Sequence, residues 1–262
     1  MKHKFFALLM FLTLSACLTL ETQAQKKPFT IGETLTYEGK ISKIIQGIAV
    51  ADLTFTVTDA PNGVDYLIKT DARSKGSLLR FFRYSFLQNY ESVVDSRNFR
   101  ILKTNKHDEQ KERIRDSEAI FDYENGQVTY VEVNPKELSR APRKIASEIK
   151  GEVHDMVSGI YALRMMPLAT GKVFEITVSD SGLVYKVPVR VTRREIQKTV
   201  LGKVMCFRVE PEVFGVNRLI EQEGSMIIWI TDDARRIPVR SQIKSDVGKI
   251  EVKLQKVSNT AK

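Results

Sequence analysis

The chain has 262 residues, 42% of them hydrophobic and 28% charged, with a formal net charge of +9. This is globular composition with length enough for one large domain. Two cysteines, Cys17 and Cys206, exclude a disulfide framework.

Residues 1–25 read as a bacterial export signal. Lys2 and Lys4 form a positive start, and Phe5 to Leu14 an apolar run of the usual ~7–15 residues. That run is shorter than the ~20 residues needed to span a bilayer, and no later stretch approaches that length. Two cleavage patterns compete. Leu14-Ser15-Ala16-Cys17 has the form of a lipobox, which ends the leader at residue 16 and makes Cys17 the acylated first residue of a lipoprotein. Thr22-Gln23-Ala24 has the small-x-small form of an ordinary site, which ends the leader at Ala24. Either places the product outside the cytoplasm: periplasmic, or anchored to the outer membrane on its periplasmic side. A membrane partner enters only through the lipid anchor on Cys17. The first 24 residues contribute +1 of the charge, leaving +8 on the body. A basic body is biased toward anionic envelope surfaces, although these charges are scattered, as on a solvated exterior.

Residues 25–262 read as a single β-rich domain. Leu35 and Tyr37 alternate with polar residues in Phe29 to Ile41. Gly47 to Asp59 carries Ala49, Ala51, Leu53, Phe55 and Val57 on one alternating face. Asn62-Gly63 predicts a type I′ hairpin leading into Val64 to Ala72. Ser77 to Phe86 is the most aromatic run outside the leader and fits a short helix or a twisted strand. Its side chains suit a core, or an apolar wall facing a ligand with Arg80 and Arg83 at the rim. Tyr90–Val94, Arg100–Lys106 and Lys111–Asp116 predict polar-faced strands, and Ala119–Tyr123 pairs with Gln127–Val133 across Glu124-Asn125-Gly126. Pro135 to Gly151 is charged, lacks apolar alternation and predicts a loop.

Val153 to Met165 is a helix: Asp155 is its N-cap, and Met156, Val157, Ile160, Tyr161 and Leu163 form a broad apolar stripe. Lys172–Ser179 and Leu183–Arg193 form a hairpin about Asp180-Ser181-Gly182. Lys203 to Glu210 places Cys206 in an alternating apolar strand, as a buried small hydrophobe. Met226 to Thr231 is apolar on both alternating sets, Met226, Ile228 and Ile230 against Ile227 and Trp229, so it belongs at a covered centre of the sheet. Asp232, Asp233 and Ala234 make the turn. Pro238 confines the return strand to an edge or a bulge, and Gly248 to Lys256 closes the sheet.

Recognisable chemistry is sparse. His3, His107 and His154 do not cluster as zinc ligands, no serine or cysteine stands in a nucleophile elbow, and no glycine-rich loop opens a helix to cradle phosphate. The sequence argues against an enzyme, a cofactor, a metal or a nucleic-acid partner.

Three segments resemble the bacterial envelope family catalogued as domain of unknown function 3108: Phe29-x-Ile31-Gly32-Glu33-x-Leu35-x-Tyr37; Asp155-x-x-Ser158-x-x-Tyr161-x-Leu163-Arg164 with Gly171; and Ile228 to Asp233 continuing through Arg235-Arg236-Ile237-Pro238-Val239. The resemblance implies an exported, β-rich domain and transfers no catalytic residue. In it Tyr161 and Trp229 read as core aromatics, and Arg164 as a partner for Asp232 or Asp233. The expectation is an all-β fold, an antiparallel curled sheet or open β-barrel with one packed helix plugging or covering it. By fold analogy its interior suits an apolar or lipid-like ligand, with Leu78, Phe81, Phe82 and Trp229 as the ligand-binding candidates. The alternative is a structural or protein-interaction envelope component with a filled core.

Overall fold

The computed structural model describes residues 27–42, 47–245 and 248–259; the export signal, Cys17 and Ala24 lie outside them. The described chain is one antiparallel sheet built from two meanders. The first runs through β1 (Glu33–Ser42), β2 (Ile48–Asp59), β3 (Tyr66–Ser74), β4 (Phe86–Val94), β5 (Ile101–Gln110), β6 (Arg113–Asp122), β7 (Gln127–Val133) and β8 (Arg143–Glu148). The second runs through β9 (Val173–Asp180), β10 (Leu183–Thr199), β11 (Gly202–Pro211), β12 (Gly224–Thr231), β13 (Pro238–Ser245) and β14 (Gly248–Asn259). β1 pairs with β14, so the first and last strands meet mid-sheet and β8 and β9 become its edges. Two helices are added: α1 (Gly76–Phe82), between β3 and β4, and α2 (Met156–Met165), on the connection between the two edges.

The sheet curls until its edges approach without pairing, an open barrel, and the connecting chain lies between them. Ile149 N donates to Gly126 O at 2.8 Å, and Ile101 N to Val153 O at 2.9 Å. One residue on, His154 N donates to Thr177 O at 2.9 Å and His154 O accepts from Ser179 N at 2.8 Å, a short parallel bridge to β9. The extended segment before α2 thus occupies backbone groups that an open edge would leave to solvent.

A tight packing point lies nearby. Gly182, in the β9–β10 turn at φ 80°, faces Tyr130 and Ile145 on the opposite edge. A methyl there would come within 2.6 Å of Tyr130 Cβ and 3.0 Å of Ile145 Cβ. Gly182→Ala should therefore lower stability by about 1–3 kcal/mol, from overpacking and a strained left-handed backbone. Denaturant melts check this, and an unchanged midpoint would mean the edges do not pack here.

α2 is buried nearly all round, as a helix inside a barrel must be. Val157, Tyr161 and Ala162 join a cluster with Val57, Ile68, Val94, Phe99, Ile101 and Val128. Leu163 joins a second, with Val187, Val189, Val209, Ile228 and Ile230. The helix therefore staples the two meanders together. Asp155 is its N-cap: the carboxylate accepts from Val157 N at 3.1 Å and Ser158 N at 2.7 Å, while Ser158 Oγ accepts from Asp155 N at 2.9 Å. Asp155 also takes the hydroxyls of Ser92 and, at 2.8 Å, Thr104, which dock the cap onto β4 and β5.

β12 is covered on both faces, with Ile228 and Ile230 in the second cluster and Trp229 in a third with Tyr37, Cys206, Val239 and Leu254. Its partner β13 is interior, and Pro238 is accommodated by the register shift between Trp229 and Ile230. Three expectations need correcting. Residues 143–148 form a strand, not a loop; this edge strand turns Ile145 and Ser147 inward, and one apolar residue on that face leaves no alternation to read. The β2–β3 connection spans residues 60–65 rather than two, because Asn62 Oδ1 accepts from the amides of both Val64 and Asp65. Arg164 pairs with neither Asp232 nor Asp233.

Candidate functional site

The partner of Arg164 is Glu33. The guanidinium forks onto the carboxylate at 2.6 and 2.9 Å, and its Nη2 also donates to the carbonyls of Pro28 at 2.8 Å and Arg235 at 2.9 Å. Only 1% of Arg164 is exposed, and its cation lies over the rings of Phe29, at 5.5 Å, and Tyr161, at 5.0 Å. It belongs to the last turn of α2, where the carbonyl end of the helix favours a cation. Asp232 and Asp233 serve the β12–β13 turn instead. Asp233 caps the amides of Arg235 and Arg236, both at 3.1 Å, and Asp232 pairs with Arg194 and Arg236.

Around this ion pair, at the end of the barrel where α2 terminates, opens a cleft of about 1210 Å³. Its apolar lining includes Phe29, Phe99, Met165, Met166, Ile237 and Val257, and its basic groups are Lys27, Arg97, Arg164, Arg235 and Arg236. Among the described residues Glu33 is its one carboxylate, and Arg164 neutralises it. Arg235 and Arg236 are balanced by the turn aspartates. Arg97 has only a loose 3.7 Å contact with Asp95, and the ammonium of Lys27 meets the carbonyl of Ser96 and the ring of Tyr66. An apolar floor under a cationic rim can take an amphiphile with an acidic head.

Between α2 and the sheet, near Tyr90, Thr104, Lys106 and Asp155, the free space is about 30 Å³, room for about one water. The candidates chosen from sequence do not meet at a site. Leu78 is buried with Ile41, Val50 and Ala51; Phe81 and Phe82 are exposed on α1; Trp229 is 5% exposed, its Nε1 donating to Glu195 beneath the guanidinium of Arg240. None of the four lines the cleft. Cys206 is buried, which pushes its thiol up to about 12. Burial likewise pushes His154 down to about 4 against the pull of Asp155. His107, held by Asp116 and Glu109, is raised. Among the described residues no group of three or more His, Cys, Asp or Glu is placed to hold a metal, and no helix is long and apolar enough to cross a membrane.

The segments that carried the family resemblance converge here. Phe29 and Glu33, Tyr161 and Arg164, and Arg235 to Ile237 come from three distant parts of the chain and meet at one cleft. A family model described as "Protein of unknown function (DUF3108)" matches residues 34–255. No curated protein matches at a significant level. Among solved structures, the chain is similar to a β-barrel-like protein of the domain of unknown function DUF1849 from Brucella abortus. That likeness has a TM-score of 0.61 at 10% identity, over 88% of this chain and 99% of that one. A candidate exported protein with a YmcC-like fold from Bacteroides fragilis matches with a TM-score of 0.35 at 10% identity, over 88% and 98%. The first likeness supports the barrel-like fold and nothing finer.

Proposed function

We propose that this chain, which belongs to the DUF3108 family, is an exported envelope module that binds an acidic, lipid-like amphiphile rather than an enzyme. The leader supports export. The observation that carries the ligand class is the cleft at the Arg164 end of the barrel: apolar floor, cationic rim, and a single carboxylate already neutralised. The binding place moves from the barrel interior, the expectation from sequence, to its end, because α2 fills the interior. That filled interior favours the second reading, a structural or protein-interaction component.

Native mass spectrometry separates the two. The protein without its leader, exported into a bacterial periplasm and purified without detergent, is expected to carry an adduct of lipid mass that leaves on denaturation. Lys27→Gln with Arg97→Glu should remove the adduct, and Arg97→Glu alone, at an exposed rim position, should weaken it while leaving the melt unchanged. A clean mass for the unaltered protein, or an adduct indifferent to the two substitutions, would overturn the cleft and leave the structural reading.

A further inference from the structure

At the other end of β1 from Glu33, roughly 27 Å away by strand rise, α1 displays an apolar surface that the body does not use. Taking 100° per residue, Phe81, Leu78, Phe82 and Leu79 form a continuous arc of about 160°, with Arg83 and Arg80 on the remainder. Only Leu78 turns into the core, beside Ile41, Val50 and Ala51. Leu79 is 55% exposed, Phe81 56% and Phe82 40%. A two-turn helix held by one leucine would bury this arc if packing were its purpose.

The charge beside it is predominantly basic. Arg80, Arg83 and Lys111 are exposed and take part in no ion pair among the described residues. Lys111 is held close: its amide donates to Ser85 O at 3.0 Å, and its ammonium lies 5.7 Å from the ring of Tyr84. Glu112 is the neighbouring acid. The helix is also firmly placed. Lys75 N donates to Val50 O at 2.7 Å, the hydroxyl of Ser77 bonds Ala49 O, and Arg83 ends the helix in the left-handed conformation while donating to Leu79 O. Aromatic and leucine side chains projecting beside unpaired arginines and a lysine have the chemistry of a membrane-interface contact, in which the rings enter the head-group boundary and the cations meet anionic lipids.

We propose that α1 is a docking surface for an anionic phospholipid bilayer, with Leu79, Phe81 and Phe82 entering the interface and Arg80, Arg83 and Lys111 neutralising head groups. This contact needs no acyl group on Cys17, unlike the anchor expected from sequence, and is independent of the end cleft. The body from Gln25 to Lys262, which cleavage after Ala24 would release, lacks Cys17, and this removes acylation from the test. It is expected to co-sediment with phosphatidylcholine vesicles containing phosphatidylglycerol, not with phosphatidylcholine alone, and less as salt rises. Arg80→Glu with Arg83→Glu should weaken the anionic binding roughly tenfold or more. Leu79→Ser, Phe81→Ser and Phe82→Ser together should abolish it at an unchanged melting temperature, as these side chains support little of the core. Equal sedimentation with neutral vesicles, no sedimentation at all, or a serine variant that still sediments would each overturn the proposal. So would an unaltered protein that dimerises through this face, shown by a halved mass in the serine variant.

Discussion

Replacing Arg164 by methionine is expected to cost the fold about 3–5 kcal/mol in denaturant unfolding, because one partner of a buried ion pair is removed and the other stays. The Arg164 side chain is fully enclosed and that of Glu33 nearly so, so the intact fork is shielded from water although it lies in the wall of the cleft. Two carbonyls, of Pro28 and Arg235, lose their donor in the same step. The guanidinium ties the entry to β1, the end of α2 and the β12–β13 turn to one another, so its loss should loosen three elements together. Arg164→Lys should recover only part, since an ammonium cannot fork onto a carboxylate while reaching both carbonyls. The informative variant is Arg164→Met with Glu33→Met, which leaves no buried charge. Its cost should fall well below the sum of the single substitutions, a coupling of the kind double-mutant cycles measure. A single-variant loss under about 1 kcal/mol would mean that the pair is solvated and does not rivet the barrel.

What was legible in the sequence followed local periodicity. The two apolar faces of Met226–Thr231, the Asp155 cap and the turn at Asp232–Ala234 are written within a few residues of where they act, and the structure has each of them. Arg164 was visible as a motif residue, but its partner lies 131 positions away, and only the pairing of β1 with β14 brings that carboxylate under α2. The nearer aspartates looked better placed because sequence distance says nothing about a barrel's circumference. The cleft was hidden for the same reason: its floor and rim come from five separated stretches, each ordinary alone. Leu78, Phe81 and Phe82 stand in one apolar run, yet periodicity does not say which side of the sheet each occupies. Residues 143–148 defeat the alternation rule because the strand turns only Ile145 and Ser147 inward, a single apolar residue and too little to register as a pattern.

His154 sets the other large effect, an acid destabilisation of about 3 kcal/mol between pH 6.5 and 4. The ring is buried beside Phe99, and its Nδ1 has no hydrogen-bond partner among the described residues. Burial pushes it down to about 4; the charge of neighbouring Asp155 opposes that shift without cancelling it. An unfolded histidine titrates near 6.5. Between the two values the unfolded chain binds a proton that the folded chain refuses, so stability falls as pH falls, by about 1.4 kcal/mol per unit. The remaining groups act outside the interval from pH 6.5 to 5. His107 is raised by Asp116 and Glu109, so its contribution is present below the unfolded value and is lost as pH rises through the folded one; being well exposed, it is screened. Glu38, Asp95, Asp108, Asp122, Asp233 and Glu251 are held below the usual carboxylate range, so their contributions are lost as pH falls through the unfolded carboxylate range, below the interval from pH 6.5 to 5. Urea melts at pH 6.5 and 5 therefore isolate His154, with an expected loss of about 2 kcal/mol. His154→Gln should flatten that interval and His107→Gln should leave it unchanged. A slope that survives His154→Gln would place the acid-sensitive group elsewhere, and a flat profile for the unaltered protein would mean that the imidazole is solvated in the native state.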